Sequence, residues 1–422
     1  MDLSSFSFAR PKLADQYCEA LLGESLKDAR SGLFLAAPRR TGKSFFLRSD
    51  MLPAFKARGW ETVYVDLWTD QSAGPGRLIA KAVKGVLQQY KGIIASLAKA
   101  SGLEKVTIFG ALTVNINALD LPDNISLADA LEALAIASKK PVVIVIDEAQ
   151  HAISTQQGID AMFALKAARE QLNQGSDKKQ KLFLVFTGSN RDKLSELVRS
   201  NKQPFYGCDI TKFPLLGRSF SDAFATLINK KLAADNQFTI DAVWEAFQLV
   251  GQRPEMLREL LGDLALDEGA ASLQKALSTG AEKLRKTIWQ EKENEFNALK
   301  PTQKAVLVHI IQEGDQYDPF TTASLASYTA TVGKPVNASD AQAALNALRK
   351  AGIVWKAVKG DYALEDETMA LWYSTQVAPG LVTVGSPSLA PATPVPTSKP
   401  AAGFKVIAKK SLKGSKKSGP SK

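Results

Sequence analysis

The chain's 422 residues leave room for two or three domains, and its 45% apolar content is that of a globular protein with a full core. Its net charge of +10 is uneven: residues 377–422 hold eight lysines and no acidic residue, leaving +2 for residues 1–376. Two distant cysteines, Cys18 and Cys208, argue against a disulfide framework or a cysteine metal site. No apolar stretch approaches the ~20 residues that span a bilayer, and no secretory signal pattern opens the chain, so a cytoplasmic protein with no membrane partner is expected.

Residues 13–26 place apolar side chains at helical spacing. A strand follows at 33–36. It leads into Ala37-Pro-Arg-Arg-Thr-Gly-Lys-Ser44, and a helical pattern then runs to about residue 56, before Gly59. Strand, tight loop, Gly-Lys-Ser and helix form the arrangement that cradles a nucleotide phosphate chain. Loop N–H groups and the helix N-terminus favour negative charge at one spot. Pro38, Arg39, Arg40, Thr41 and Gly42 form the loop. Lys43 is placed to neutralise the β- and γ-phosphates of ATP, and Ser44 to hold Mg²⁺. Ala37 stands where the motif has its first glycine, and its methyl group could narrow the loop.

A second strand is expected at 62–67, a long helical region at 76–100 and a hairpin at 106–118. A helix at 126–139, capped by Ser126, precedes the β-branched run 141–146. Such an unalternated run suits a strand covered on both faces of a parallel sheet. It ends in Asp147 and Glu148. A helix at 158–173, a strand at 181–187 ending in Gly188-Ser-Asn190, and a short strand at 209–213 complete a doubly wound α/β core over residues 1–218. The polar segments 37–44, 147–148 and 187–190 all fall at carboxyl ends of strands, where such sheets bind ligands.

Residues 219–300 read as an all-helical lid, with Gly251-Gln-Arg-Pro254 restarting a helix. Residues 301–376 give three helices (301–313, 321–329, 339–351) and a hairpin (353–358, 362–364), the order of a winged helix. Residues 377–422 are rich in Pro, Ala, Ser and Lys, and a disordered tail is expected.

Asp147 is expected to coordinate the Mg²⁺ held by Ser44, and Glu148 to polarise the attacking water. Asn190, whose amide both donates and accepts, is expected near the γ-phosphate or that water, with Ser189 as the other candidate. Arg253 could reach the phosphates when the lid closes. His151 and His309 are read as structural.

Ala-Pro-Arg-Arg-Thr-Gly-Lys-Ser, Val-Ile-Asp-Glu-Ala-Gln and Phe-Thr-Gly-Ser-Asn together resemble the archaeal-type AAA-like ATPases of the STAND class of P-loop NTPases. Pro204-Phe-Tyr-Gly207, the Gly-x-x-Pro of the lid and the winged helix add to the resemblance, which covers about residues 15–375. It implies a Mg²⁺-dependent P-loop ATPase. Ala37 and Cys208 stand where members often carry glycine and arginine, and a lysine tail stands where many carry repeat sensors.

The expected function is an ATPase that couples Mg-ATP binding and hydrolysis to movement of its lid and winged helix on a protein partner. The alternative is a nucleotide-gated DNA-binding or signalling switch with little hydrolysis, able to oligomerise. Nucleic acid could be held by the basic tail or by the winged helix. Residues 301–375, however, carry six Lys or Arg against eight Asp or Glu, a poor footprint for phosphate.

Overall fold

Five short strands build one parallel sheet. The computed structural model describes residues 6–70, 72–90, 92–93, 105–108, 112–115, 127–174, 182–266, 272–356 and 362–379. Nearly all of the expected tail, the Ser126 cap and part of the expected 106–118 hairpin lie outside them. In chain order the core holds α1 (Pro11–Leu22), β1 (Leu33–Ala36), α2 (Lys43–Phe46), α3 (Leu52–Ala57), β2 (Glu61–Asp66) and α4 (Pro75–Leu87). It continues with β3 (Lys105–Ile108), β4 (Leu112–Asn115), α5 (Leu127–Ser138), β5 (Val142–Asp147), α6 (Gln156–Asn173), β6 (Leu182–Gly188), α7 (Arg191–Arg199) and β7 (Ile210–Lys212). A π-helical turn, Leu47–Met51, joins α2 to α3.

The sheet order is β2-β5-β6-β1-β7, with every neighbouring pair parallel. Strand alternation divides the core in two. Val142, Ile144 and Ile146 face the cluster made with α4, α5, α6 and α7. Val143 and Val145 face the cluster made with α1 and the helical rod after the loop, including Phe46, Met51 and Phe55. A strand covered on both faces gains nothing from polar alternation, which is why all six residues of β5 are buried. This is the doubly wound α/β fold of P-loop NTPases, with a helical C-terminal region behind it. β3 and β4 pair antiparallel outside the main sheet.

The C-terminal region comprises α8 (Arg218–Asn229), α9 (Ile240–Leu249), α10 (Pro254–Leu266), α11 (Leu273–Asn297), α12 (Pro301–Glu313), α13 (Thr322–Val332), α14 (Ala338–Lys350), β8 (Val354–Lys356), β9 (Tyr362–Leu364) and α15 (Thr368–Trp372). α8 to α10 share a core with Leu277 and Ala281 of α11, and with Phe6 and Phe8 from the N-terminal segment. The far end of α11 packs Trp289 and Phe296 against a second core, built from α12 to α15 and the β8–β9 hairpin. One 25-residue helix therefore belongs to both cores. α15 was not expected. At five residues it is too short to show a helical period, yet it buries Met369 and Trp372.

α6 starts at Gln156, two residues before the expected position, because Thr155 caps it: its hydroxyl accepts from Gly158 N at 3.1 Å. Gly158 itself sits against the preceding turn. A Cβ there would lie 2.1 Å from the carbonyl oxygen of Ala152. Replacing Gly158 by Ala is expected to lower the unfolding free energy by about 3 kcal/mol in urea denaturation, since neither backbone can yield cheaply. A change within about 0.5 kcal/mol, the ordinary range for an uninvolved surface site, would mean that the turn moves freely.

Candidate active site

β1 ends at Ala36, and the chain turns through Pro38–Gly42 before α2 begins. Gly42 holds φ 84, a conformation costly for any side chain, and Arg40 also has positive φ. Thr41 braces the turn by donating its hydroxyl to the Pro38 carbonyl at 2.8 Å. The Ala37 methyl does not narrow the loop. It is buried in the apolar cluster with α1 and the helical rod.

Lys43, on the first turn of α2, reaches back over the end of β5. Its residue is 5% exposed, and Nζ donates to Asp147 Oδ1 at 2.7 Å, Glu148 Oε1 at 2.9 Å and Thr187 Oγ1 at 3.3 Å. Ser44 Oγ donates to Asp147 Oδ2 at 2.7 Å, and Tyr64 on β2 donates its hydroxyl to the same oxygen at 3.1 Å. Thr187 also donates to Asp147 Oδ1. Glu148 leaves the strand with φ 54, left-handed for a non-glycine residue, and this turns its carboxylate back over the sheet edge. Glu148 Oε2 accepts from Ser189 Oγ at 2.7 Å and from Gln150 Nε2. Gln150 Nε2 also donates to Ser189 Oγ at 3.2 Å.

Burial pushes both carboxyls up, but the Lys43 ammonium and the hydroxyl and amide donors outweigh it, and both lie below their ordinary values. Burial also raises the Tyr64 hydroxyl, with Asp147 adding to the shift.

A cavity of about 440 Å³ opens over these groups, lined by 38–45, Asp66, Trp68, Asp147, Glu148 and Ser189. Asn190 and Arg253 do not line it. Asn190 sits at the N-cap of α7, where Oδ1 accepts from Lys193 N at 2.7 Å, and Ser189 takes the place beside Glu148. An extended N-cap backbone aims its side chain at the helix it starts. Arg253 Nη2 meets Asp366 Oδ2 at 3.3 Å and faces a neighbouring cavity. Two other arginines near the core, Arg191 and Arg218, are engaged away from this cavity. The Arg191 guanidinium lies 4.7 Å from the Trp355 ring centroid, and Arg218 pairs with Asp241 and Asp222.

Thr187, in the polar segment 187–190, and Tyr64 and Gln150 complete the site, although the sequence assigned none of the three a role. A hydroxyl near the end of an otherwise apolar β6 was the one signal for Thr187. The other two needed the strand order and the 3-10 turn Ala149–Ser154.

The donor set fits a nucleotide phosphate chain and a hard cation. Ser44 Oγ and Asp147 Oδ2 are neighbouring oxygens, and no cluster of three or more His, Cys, Asp or Glu suited to a metal occurs among the described residues. Mg²⁺ ordinarily takes one or two protein oxygens and completes its shell with phosphates and water.

No family profile matches the chain, and no curated protein does. Among solved structures it is similar to a Walker-type ATPase of Pyrococcus abyssi, at 17% identity and TM-score 0.49, over 88% of this chain and 99% of that one. It is also similar to the ORC2 protein of Aeropyrum pernix in its ADP form, at 12% identity and TM-score 0.48, over 86% of this chain and 93% of that one. AMPPCP-bound DnaA from Aquifex aeolicus aligns at 12% identity and TM-score 0.36, over 83% and 91%. These likenesses are of outline, and the sheet order and loop position define the fold independently of them.

Because the depressed carboxyls are charged at neutral pH, the Lys43 contacts stabilise the fold above the ordinary carboxylate pKa. That contribution is lost as pH falls through the lowered folded values. Lys43→Met leaves the buried Asp147 and the half-buried Glu148 carboxylates facing each other without the ammonium. It is expected to cost about 3 kcal/mol at pH 7. The deficit should shrink at pH 5, because the unpaired carboxyls then titrate above their usual range. A deficit independent of pH in chemical denaturation would contradict this electrostatic origin.

Proposed function

We propose that this protein is a Mg²⁺-dependent ATPase of the STAND-like, AAA-like kind, in which turnover moves the lid and a winged-helix-like C-terminal domain on a protein partner. One observation supports this most: Lys43, Ser44, Asp147 and Glu148 converge at one rim of the sheet, where Lys43 meets Asp147 at 2.7 Å and Glu148 at 2.9 Å, and Ser44 meets Asp147 at 2.7 Å. In this reading Lys43 neutralises the β- and γ-phosphates, and Ser44 and Asp147 hold the cation. When bound, Mg²⁺ would offset charge on the phosphate oxygens. Glu148 takes the proton of the attacking water. Ser189 and Gln150 occupy Oε2, so Oε1, whose one side-chain partner among the described residues is Lys43, is the oxygen open to that proton. Pro38–Gly42 supplies the phosphate loop, with Arg39 and Arg40 at its outer edge, and Arg253 joins only if the lid swings.

The path to the C-terminal domain is short. Ser189 touches Glu148, Asn190 caps α7, and Asp192 in the first turn of α7 binds the C-terminal domain. Asp192, 5% exposed, accepts from Arg349 Nε at 2.8 Å, Arg349 Nη2 at 3.1 Å and Lys356 N at 3.0 Å. Arg191 N donates to Glu365, and Lys212 pairs with Glu367. A phosphate-dependent shift of Ser189 would reach these contacts within three residues. The alternative, a nucleotide-gated DNA-binding switch, rests on the eight lysines after residue 398. The solved neighbours include an ORC1 protein in complex with DNA and DnaA with single-stranded DNA.

The direct test is turnover. Glu148→Gln is expected to keep ATP affinity and to hydrolyse about 100-fold more slowly or worse. Equal turnover would remove Glu148 from the chemistry. The coupling has its own test. ATP is expected to change amide hydrogen exchange at Val354–Lys356 in the wild type, and Arg349→Ala should raise exchange there and abolish the ATP effect. An ATP effect that survives Arg349→Ala would rule out this route.

A further inference from the structure

A second cavity, of about 750 Å³, lies beside the phosphate cavity and shares Pro38–Arg40, Trp68 and Ser189 with it. Core, lid and C-terminal domain all contribute to its wall. Most of its charges already have partners. Arg253 meets Asp366 at 3.3 Å, Lys292 meets Glu295 at 2.9 Å, and Arg40 meets Glu255 at 3.5 Å. Glu365 Oε1 accepts from Arg191 N while Oε2 has no partner, and burial raises both the Glu365 and the Glu196 carboxyls toward their neutral forms. Two cations remain. Among the described residues neither Arg39 nor Lys193 pairs with a carboxylate, and Arg39 lies 5.5 Å from the Trp68 ring centroid.

His151 lines the same cavity, close enough to both cations for their charges to act on it. Its ring packs against Trp68, tilted by 57° with 4.4 Å between centroids, and Nε2 is buried with no hydrogen-bond partner. Burial lowers its pKa, Lys193 and Arg39 lower it further, and Glu148 opposes them. The imidazole is therefore neutral at pH 7 and can present Nε2–H to an acceptor. Two unpaired cations and an orphaned ring nitrogen in one cavity match an anion that brings its own acceptor oxygens. The shared wall places this cavity next to the point where hydrolysis would free such an anion.

We propose that this cavity is a second oxyanion site, where inorganic phosphate released from the loop side is held by Arg39, Lys193 and His151 before it leaves. The role as product site rests on the ATPase reading, whereas the binding site does not. The cavity exceeds the size of one phosphate, which fits a hydrated passage rather than a tight trap.

Titrating sodium phosphate calorimetrically into the full chain separates the two. Lys193 is exposed and lies outside the loop, so Lys193→Glu should keep the melting temperature and the ATP affinity of the wild type. Lys43→Ala is expected to retain a phosphate site that Lys193→Glu weakens about tenfold or more. In a single turnover followed with a fluorescent phosphate sensor, Lys193→Glu should change the rate of phosphate release without changing the rate of cleavage. Phosphate binding lost in Lys43→Ala and kept in Lys193→Glu, or absent from the wild type, would overturn the site. Phosphate binding at Lys193 in a chain that cleaves no ATP would leave the site standing and remove its role as a product site.

Discussion

A buried lysine between two carboxylates is the contact on which the rest of the molecule turns. Lys43 comes from the helix after the loop, Asp147 and Glu148 from the strand end, and Thr187 from the next strand. Such an ammonium cannot stay charged in an apolar surround without partners. Its presence therefore fixes the register of α2 against β5 and β6. The three acceptors also define where a phosphate chain would compete for the same charge.

Two consequences spread from that contact. On the near side, Glu148 is gripped by Ser189 and Gln150 through one oxygen, while the other stays with Lys43. The amide of Gln150 lies so close to Gly188 that a Cβ there would come 2.5 Å from Oε1, so a side chain at Gly188 would displace the amide that holds Glu148. On the far side, the residue after Ser189 starts α7, whose Asp192 anchors Arg349 from 157 positions along the chain. Asp192 is buried and is met by two arginines and a backbone N–H, a geometry in which a charge pair is costly to break. The Lys43 rim and the C-terminal region thus lie on either side of one short helix.

The parts legible in the sequence were those with strong local signals. The β-branched run before Asp147 and the Gly-Lys-Ser between strand and helix each announce their structure within ten residues, and strand ends in a parallel sheet share one rim. What stayed hidden depends on register and on distant pairing. Thr187 and Tyr64 reach Asp147 only because β6 and β2 both flank β5. Asn190, the preferred residue of the Ser189–Asn190 pair, spends its amide oxygen on the N-cap of α7, which local sequence does not reveal, and Ser189 meets Glu148 instead. The partition of α11 between two cores could not be read from a uniform helical period.

The central claim is that the Lys43 rim is a nucleotide phosphate site, and equilibrium binding tests it without any need for turnover. A fluorescent, non-hydrolysable ATP analogue titrated with Mg²⁺ into the full chain should saturate at about one per chain. Affinity should fall about 100-fold or more in Lys43→Ala, the loss of roughly two charge-assisted hydrogen bonds. Equal affinity in the wild type and in Lys43→Ala would contradict the account.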